Sequence, residues 1–477
     1  MSNTTSLAGT RIDSLLDENS FVEIGKSVTA RNTDFNMTEK KAPSDGVITG
    51  YGVIDGNPVY VYSQDVSVLN GTIGEMHAKK IAGLYDLAMK TGAPVIGLLD
   101  CAGIRLQEAT DALHAFGEIY MKQTLASGVI PQITAVFGTC GGGLAMFPAL
   151  TDFTFMEAKK GKLFVCAPNA LEGNEVSKCD TAAASFQSQE TGLVDVVAEE
   201  AELIAKIRTL VSMLPSNNED DSSYLECTDD LNRVCENLEN CAGDTALALS
   251  QIADEQEFFE VKGAYGKDMV TGFLKLNGMT VGAVANRTEI YDEEGKVAES
   301  FSGTISSRGA RKAAEFVKFC DAFSIPVLTL TNTTGFKADK CNERMMAKSV
   351  GEMIYAFANA TVPKVNVIVG KAYGNAYVAM NSKAIGADLV YAWPTAEIGM
   401  LDAALAAKIM YAGSDAETLK EKAKEYAALQ SGVETAAARG YVDTIIEPAE
   451  TRKYVIAAFE MLFTKREERP DKKHGTV

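Results

Sequence analysis

Residues 131–143 read PQITAVFGTCGGG, and residues 363–376 read PKVNVIVGKAYGNA. Each stretch opens on a proline, runs through an apolar strand pattern and closes in a small-residue turn leading to a helical sequence. Pro131 and Pro363 lie 232 positions apart, as do Pro94 and Pro326, which open PVIGLLD and PVLTLTN. A shared offset between otherwise different residues is the mark of an internal duplication. Working outward, Gly50–Asp65 (GYGVIDGNPVYVYSQD) matches Gly272–Arg287 (GFLKLNGMTVGAVANR) as two strands around an Asp-Gly or Asn-Gly turn. Helical patterns follow at His77–Lys90 and Arg311–Phe323. Each half therefore reads β-β-α-β-α-β, an α/β layered domain. Ala416–Leu429 is periodic, with one polar side, and predicts a surface helix.

The 477 residues suffice for two domains, and 46% apolar content fits two packed cores. Between Pro215 and Asp244, nine of thirty residues are acidic and only Arg233 is basic. The division predicted is 1–214, an acidic connector 215–244, and 245–477. A net charge of −19 argues against nucleic-acid or anionic-membrane partners, so an anionic ligand needs a local counter-field. The nine cysteines form no CxxC pair, and the three histidines are His77, His114 and His474, so no zinc site is expected. Scattered thiols, together with an N-terminus lacking a basic-then-apolar leader, predict a soluble protein of the reducing cytoplasm.

Chemistry is expected at the two glycine-bearing junctions. Gly141-Gly142-Gly143 and Gly374-Asn375-Ala376 each join a strand to a helical sequence, where backbone N–H groups are left unpaired. Such groups bind a phosphate or stabilise a developing oxyanion. No G-x-S-x-G elbow or phosphate-loop motif occurs. His77 and His114 sit in helical patterns as packed or surface residues, Asp100 and Glu108 read as caps, and Cys140 reads as a buried thiol. The pattern points to catalysis by backbone dipoles.

Longer motifs carry a family resemblance. Ser63-Gln64-Asp65, DCAGIRLQEA (100–109), ASGVIPQITAVFGTCGGGLAMFPALTD (126–152), KFCDAFSIP (318–326), YAFANATVPKV (355–365), Lys371–Met380, YAWPTAEI (391–398), ARGYVDTIIEP (438–448), Thr451-Arg452 and Lys473-His474-Gly475 occur in family order. Together they resemble the β subunits of biotin-dependent acyl-CoA carboxylases, the carboxyltransferases of the propionyl-CoA carboxylase and methylmalonyl-CoA decarboxylase α type.

The resemblance implies two tandem crotonase-like ββα-spiral domains, the first facing acyl-CoA and the second facing biotin. It implies carboxyl transfer between biotin, borne on a separate carrier protein, and the α-carbon of a short-chain acyl-CoA, with no side-chain base. By position, Gly142 and Gly143 would hold the thioester oxygen, while Asn375 and Ala376 would face the biotin ureido oxygen. Gly103, Ile104 and Arg105 would line the acyl-CoA side, and Val378 would help set acyl preference. Implied partners are the biotin carboxyl carrier protein, a biotin carboxylase or a membrane decarboxylase subunit, and further copies of this chain as a dimer or trimer of dimers. Departures from the family pattern are Asn375 for glycine, Asn332 and Thr334 for Asp and Pro, KADKCNERMM (337–346) for a glycine loop, Ala182-Ala183 for a glycine pair and Gln187 for histidine. They motivate an alternative, a non-catalytic assembly subunit with a modified biotin site. A crotonase-type hydratase or isomerase ranks third, for want of placed carboxylates.

Overall fold

The computed structural model describes residues 6–33, 35, 37–220 and 227–470. The motif Lys473-His474-Gly475 and the connector residues 221–226 lie outside the described residues. The chain forms two compact units, Met1–Ser222 and Ser223–Val477.

In the first unit, β1 (Val22–Ile24), β2 (Val47–Ile54), β3 (Asn57–Gln64), β4 (Val95–Cys101), β5 (Gln132–Gly141), β6 (Phe153–Glu157) and β8 (Val196–Ala198) lie side by side in that order, with β7 (Lys162–Phe164) pairing the far end of β5. β1 to β3 are antiparallel and the pairs from β3 onward are parallel. The hairpin β2–β3 closes on Asp55 and Gly56, both at positive φ (48° and 81°), the turn that Asp-Gly favours because it matches strand twist. Helices α1 (Glu75–Thr91) and α2 (Ala109–Ala126) make the crossovers. The core gathers Ile81, Tyr85, Leu99, Ile119, Val136 and Phe147, all at most 1% exposed.

The second unit repeats this. Its strands β9 (Phe258–Val261), β10 (Met269–Leu276), β11 (Met279–Asn286), β12 (Val327–Thr333), β13 (Lys364–Tyr373), β14 (Leu389–Ala392) and β16 (Thr444–Ile445) stand in the same sequence, with β15 (Glu397–Gly399) on the far end of β13. Its hairpin closes on Asn277 and Gly278, again at positive φ. The equivalent hairpins are 222 positions apart, whereas β4 and β12 are 232 apart. The ten extra residues fall in a segment that carries an additional hairpin, Glu289–Tyr291 with Val297–Ser300. Helix α3 (Ser307–Ala322) starts four residues before the expected Arg311, because the Ser306 hydroxyl caps it by accepting from the Gly309 N–H. Helix α4 (Met346–Asn359) completes the second crossover. The surface helix runs Ala416–Tyr426 with no buried residue.

Two buried lysines occupy equivalent places in the two units. Lys80 on α1 donates to the Ser44 and Val47 carbonyls, and Lys312 on α3 to those of Lys262, Tyr265 and Met269 at 2.8–3.1 Å. Each ammonium ties the start of its helix to the first residue of β2 or β10 and to the segment leading into that strand. The acidic stretch 215–244 is not solvated throughout. Asn218 donates to the Val129 carbonyl, and Cys235 and Leu238 are buried in the second unit's core.

Asp152 accepts the Gln132 N–H at 2.8 Å, and burial pushes its carboxyl up to about 7. An unfolded aspartate titrates near ~3.9, so the folded chain alone holds this proton between the two values. Its contribution to stability is therefore present below about pH 4 and is lost as pH rises through about 7. Asp152→Asn is expected to flatten that part of the stability profile and to raise the melting temperature at pH 8. Denaturation followed by circular dichroism from pH 4 to 8 checks both.

Candidate functional site

Both glycine turns lie where the middle parallel strand of a unit leaves its main partners. β5 pairs β4 and β6 up to Val136, then shifts register so that Cys101 faces Cys140 and Thr139–Gly141 pair β7. In the second unit β13 shifts likewise, and Lys371–Tyr373 pair β15. A strand can swing out only where the next residue may adopt φ > 0. Gly142 (φ 63°) and Gly374 (φ 59°), 232 positions apart, supply that.

After Gly142 the chain makes a tight turn, Gly142–Ala145, and a short helix, Met146–Leu150. The first residues of such a turn have no acceptor within it, so the N–H groups of Gly142 and Gly143 are not consumed there. A Cβ on Gly142 would meet open space, whereas one on Gly141 would stand 2.6 Å from the Phe164 ring. Gly141 thus serves packing, and Gly142 serves backbone conformation. Below the turn, the Tyr120 hydroxyl donates to the Gly143 carbonyl at 2.6 Å and the Cys140 thiol to that of Leu144 at 3.5 Å.

The second turn opens directly into a helix, Gly374–Ala379. Asn375, the counterpart of Gly143, lies inside this helix and off the positive-φ region, so asparagine is accommodated without strain and keeps its N–H. Its side chain is exposed and makes no hydrogen bond among the described residues. Ala376 is buried, and Val378 is half-buried with its carbonyl taken by Ser382.

The loop after β4 borders the first turn: a Cβ on Gly103 (φ 105°) would come 4.0 Å from the Gly141 carbonyl. Its backbone is fixed by Ile73, which donates to Gly103 and accepts from Arg105, both at 2.9 Å. The Arg105 side chain turns inward. It is 1% exposed and donates to Asp45, to Glu108 at 3.0 Å and to Thr72 O at 2.6 Å. Glu108 also accepts the Glu75 N–H at 2.6 Å, capping α1. The guanidinium is therefore spent inside the protein, and with the Gly103 and Arg105 N–H groups bonded to Cys101 Sγ and the Ile73 carbonyl, the loop has the half-buried Ile104 left to offer a ligand.

Two motifs fix the strand ends beneath the turns. The Asp100 N–H donates to Gln64, and its carboxylate pairs with Arg11 at 3.1 Å and fills the space a Gly138 side chain would need. In the second unit the Asn332 N–H donates to Asn286, and its Oδ1 accepts the Lys371 N–H at 3.1 Å and fills the space beside Gly370. Asn332 is thus the uncharged version of one device, needing no arginine.

The remaining departures have structural partners. Gln187 donates to the Leu163 and Thr181 carbonyls at 3.0 and 2.7 Å, Ala183 bridges Lys162, and Asn342 accepts the Ser307 N–H at the start of α3. His77 is wholly buried, held by the Asp45 carbonyl, and burial pushes it down to about 3; His114 is exposed. No cluster of three metal-ligating side chains occurs among the described residues. A cleft of about 490 Å³ lined by Tyr51, Tyr60, Thr91 and Asn217 lies at the N-terminal end of β4. The turns sit at carboxyl ends of parallel strands, where α/β sheets bind ligands.

This geometry defines a class: a duplicated α/β protein with a positive-φ glycine turn at the matched strand end of each unit. Residues 2–477 match the family model described as the carboxyl transferase domain, and the chain belongs to that family. It is 40% identical to the propionyl-CoA carboxylase beta chain of Roseobacter denitrificans, over 98% of this chain and 92% of that one. It is 39% identical to methylmalonyl-CoA decarboxylase subunit alpha of Propionigenium modestum, with the same coverage. Its fold matches a transcarboxylase 12S structure, described as a hexamer with hydrolysed methylmalonyl-coenzyme A bound, at TM-score 0.91 and 36% identity over 98% of this chain and 92% of that one. The two units are accordingly crotonase-like, and the protein is a carboxyltransferase. No helix among the described residues is long and apolar enough to cross a membrane.

Arg105→Met is expected to destabilise the protein by about 3–5 kcal/mol in chemical denaturation, because Asp45 and Glu108 are left buried without their cation. Unchanged stability with weakened acyl-CoA binding would place the guanidinium on the ligand instead.

Proposed function

We propose that this enzyme moves a carboxyl group between biotin on a separate carrier protein and the α-carbon of a short-chain acyl-CoA. One observation carries the reading: the two positive-φ glycines, Gly142 and Gly374, each release a strand into a turn whose first N–H groups are not consumed within it. In this reading Gly142 and Gly143 receive the thioester oxygen of acyl-CoA. Asn375 and Ala376 receive the ureido oxygen of biotin, and the exposed amide of Asn375 adds a further donor at that turn.

Biotin supplies a carboxyl carrier whose ureido oxygen takes up charge as the carboxyl group leaves. The chain's own part is to hold both oxygens against fixed dipoles, which stabilise charge where it develops. No side chain at the first turn is suited to act as a base. Burial pushes the Cys140 thiol and the Tyr120 phenol up, so both stay protonated at neutral pH. The similarity to a propionyl-CoA carboxylase chain and a methylmalonyl-CoA decarboxylase subunit supports a three- or four-carbon acyl group. The hexameric transcarboxylase neighbour supports a homo-oligomer. In this reading it works with a carrier and with a biotin carboxylase or a membrane decarboxylase subunit.

Biotin-dependent release of CO₂ from malonyl-CoA and methylmalonyl-CoA tests this, with the full chain and its carrier or free biotin. Wild type is expected to turn over. Gly143→Pro is expected to lose about 10²–10³-fold in kcat with the fold retained by circular dichroism, since it deletes one oxyanion donor. Silence in wild type with activity gained by Asn375→Gly would support instead an assembly subunit whose biotin site is closed by the Asn375 side chain.

A further inference from the structure

The loop that follows β12 in the second unit is the counterpart of the loop that follows β4 in the first. Lys337 lies 232 positions after Arg105. Each donates its N–H to an isoleucine carbonyl at that same offset, Lys337 to Ile305 and Arg105 to Ile73, both at 2.9 Å. The side chains then part. Arg105 is buried and spent on Asp45 and Glu108, whereas Lys337 is exposed and makes no ion pair among the described residues.

Beyond this point the two loops carry opposite charge. Residues 105–114 hold Glu108 and Asp111, with Arg105 as their one lysine or arginine, while residues 337–348 (KADKCNERMMAK) hold Lys337, Lys340, Arg344 and Lys348. All four are exposed, and none has an ion-pair partner among the described residues. Of the two carboxylates in that stretch, Asp339 is engaged within the loop, accepting the Asn342 N–H and side-chain amide at 2.9 and 2.8 Å. Glu343 is left against four cations. In a chain of net charge −19, this run is a local reversal of the field.

The cations are also ordered. Lys340, Arg344 and Lys348 recur every fourth residue. The chain is helical over Lys340–Glu343, Arg344 keeps helical dihedrals (φ −55°, ψ −33°), and α4 begins at Met346. Lys340 and Arg344 therefore share a side, and Lys348 follows in the first turn of α4. At a rise of about 1.5 Å per residue the row spans roughly 12 Å. It is held firmly, because Asn342 Oδ1 accepts from both the N–H and the hydroxyl of Ser307 at the start of α3. It also stands beside the second turn. Gly335-Phe336 before it and α4 after it both pack on the helix Gly374–Ala379. Cations in a row suit an extended face of carboxylates, whereas a single phosphate needs donors gathered about one point.

We infer that this row is the docking surface for the biotin carrier protein, receiving an acidic face of the carrier beside the turn at which its biotin is used. The inference rests on the reading of the second turn as the biotin side. The cations touch no reacting atom. They speed encounter and set its orientation, in a field that otherwise repels an acidic partner. The fold does not require them, since the first unit anchors the same loop without such a row.

The combined variant Lys337→Glu, Lys340→Glu, Arg344→Glu and Lys348→Glu reverses the row in the full chain. Release of CO₂ from malonyl-CoA is measured with the biotinylated carrier and, separately, with free biotin, at low and high salt. At low salt, kcat/KM for the carrier is expected to fall about tenfold or more. Free-biotin turnover, KM for malonyl-CoA and melting temperature should not change. High salt should remove most of the difference between wild type and variant, because exposed charges are screened. Polyglutamate should inhibit the carrier reaction of wild type and spare its free-biotin reaction. An unchanged kcat/KM for the carrier would overturn the inference. So would a raised KM for malonyl-CoA with free biotin, which marks a site for coenzyme A phosphates, or dissociation of the oligomer in sedimentation, which marks a contact between copies. The carboxyl-transfer reading fails separately, if wild type shows no turnover with either form of biotin. Carrier binding in calorimetry, weakened by the variant, would still establish the docking surface, and no binding to wild type would reject it.

Discussion

A peptide N–H can be offered to a ligand only where neither a strand ladder nor a helix consumes it, and a folded chain has few such places. Here the fold makes them by forcing a strand out of its sheet. β5 and β13 each run past their main neighbours, take up a short strand on a new register and then reverse at a glycine in the left-handed region. Everything around the turns serves that exit. Asp100 and Asn332 fill the space left by Gly138 and Gly370, and Gln64 and Asn286 hold the adjoining strand ends. In the first unit the Arg105 network locks the loop that borders the turn. The site is built of main chain, and the side chains around it set that main chain in place.

Duplication makes this division of labour visible, because each half is a control for the other. Features present in both halves are requirements of the fold: the Asp-Gly and Asn-Gly hairpins, the Lys80 and Lys312 ammonium ties, and the carboxyl or amide packed beneath each turn. Features present in one half only belong to that half's task. The first unit has Cys140 pinning the turn and a buried arginine bracing the adjacent loop. The second has an exposed amide at Asn375 and an inserted hairpin ahead of α3.

The sequence was legible wherever a local rule decides the outcome. Proline before a strand, Asn-Gly in a hairpin and glycine at a strand–helix junction act through a few residues, and the repeated offset marked both turns. Legibility failed where tertiary contacts decide. Arg105 reads as a cation on a loop, yet Asp45, sixty positions away, draws it into the interior. Asn332 reads as a lost charge, but three-dimensional neighbours make it the equal of Asp100 without Arg11. Cys235 and Leu238 sit in an acidic stretch whose composition says solvent, and two apolar side chains suffice to dock part of it. Tyr120, whose hydroxyl bonds the Gly143 carbonyl, carried no signal, because a tyrosine on an amphipathic helix is ordinarily core.

The same physics explains why the family motifs looked disturbed in the second half while the turn there stays intact. A backbone donor depends on the conformation of its residue and much less on that residue's side chain. Asn375 can replace a glycine because the position needing φ > 0 is one residue earlier, at Gly374, where a Cβ would stand 3.2 Å from the Met400 carbonyl. Substitution is costly at Gly374 on two counts, backbone strain and contact, and costs little conformationally at 375. Selection on such a site is therefore free to vary the side chain facing the ligand while the donor itself is preserved. If the two turns hold the two oxygens as proposed, one backbone arrangement would in this way accept a different group in each unit.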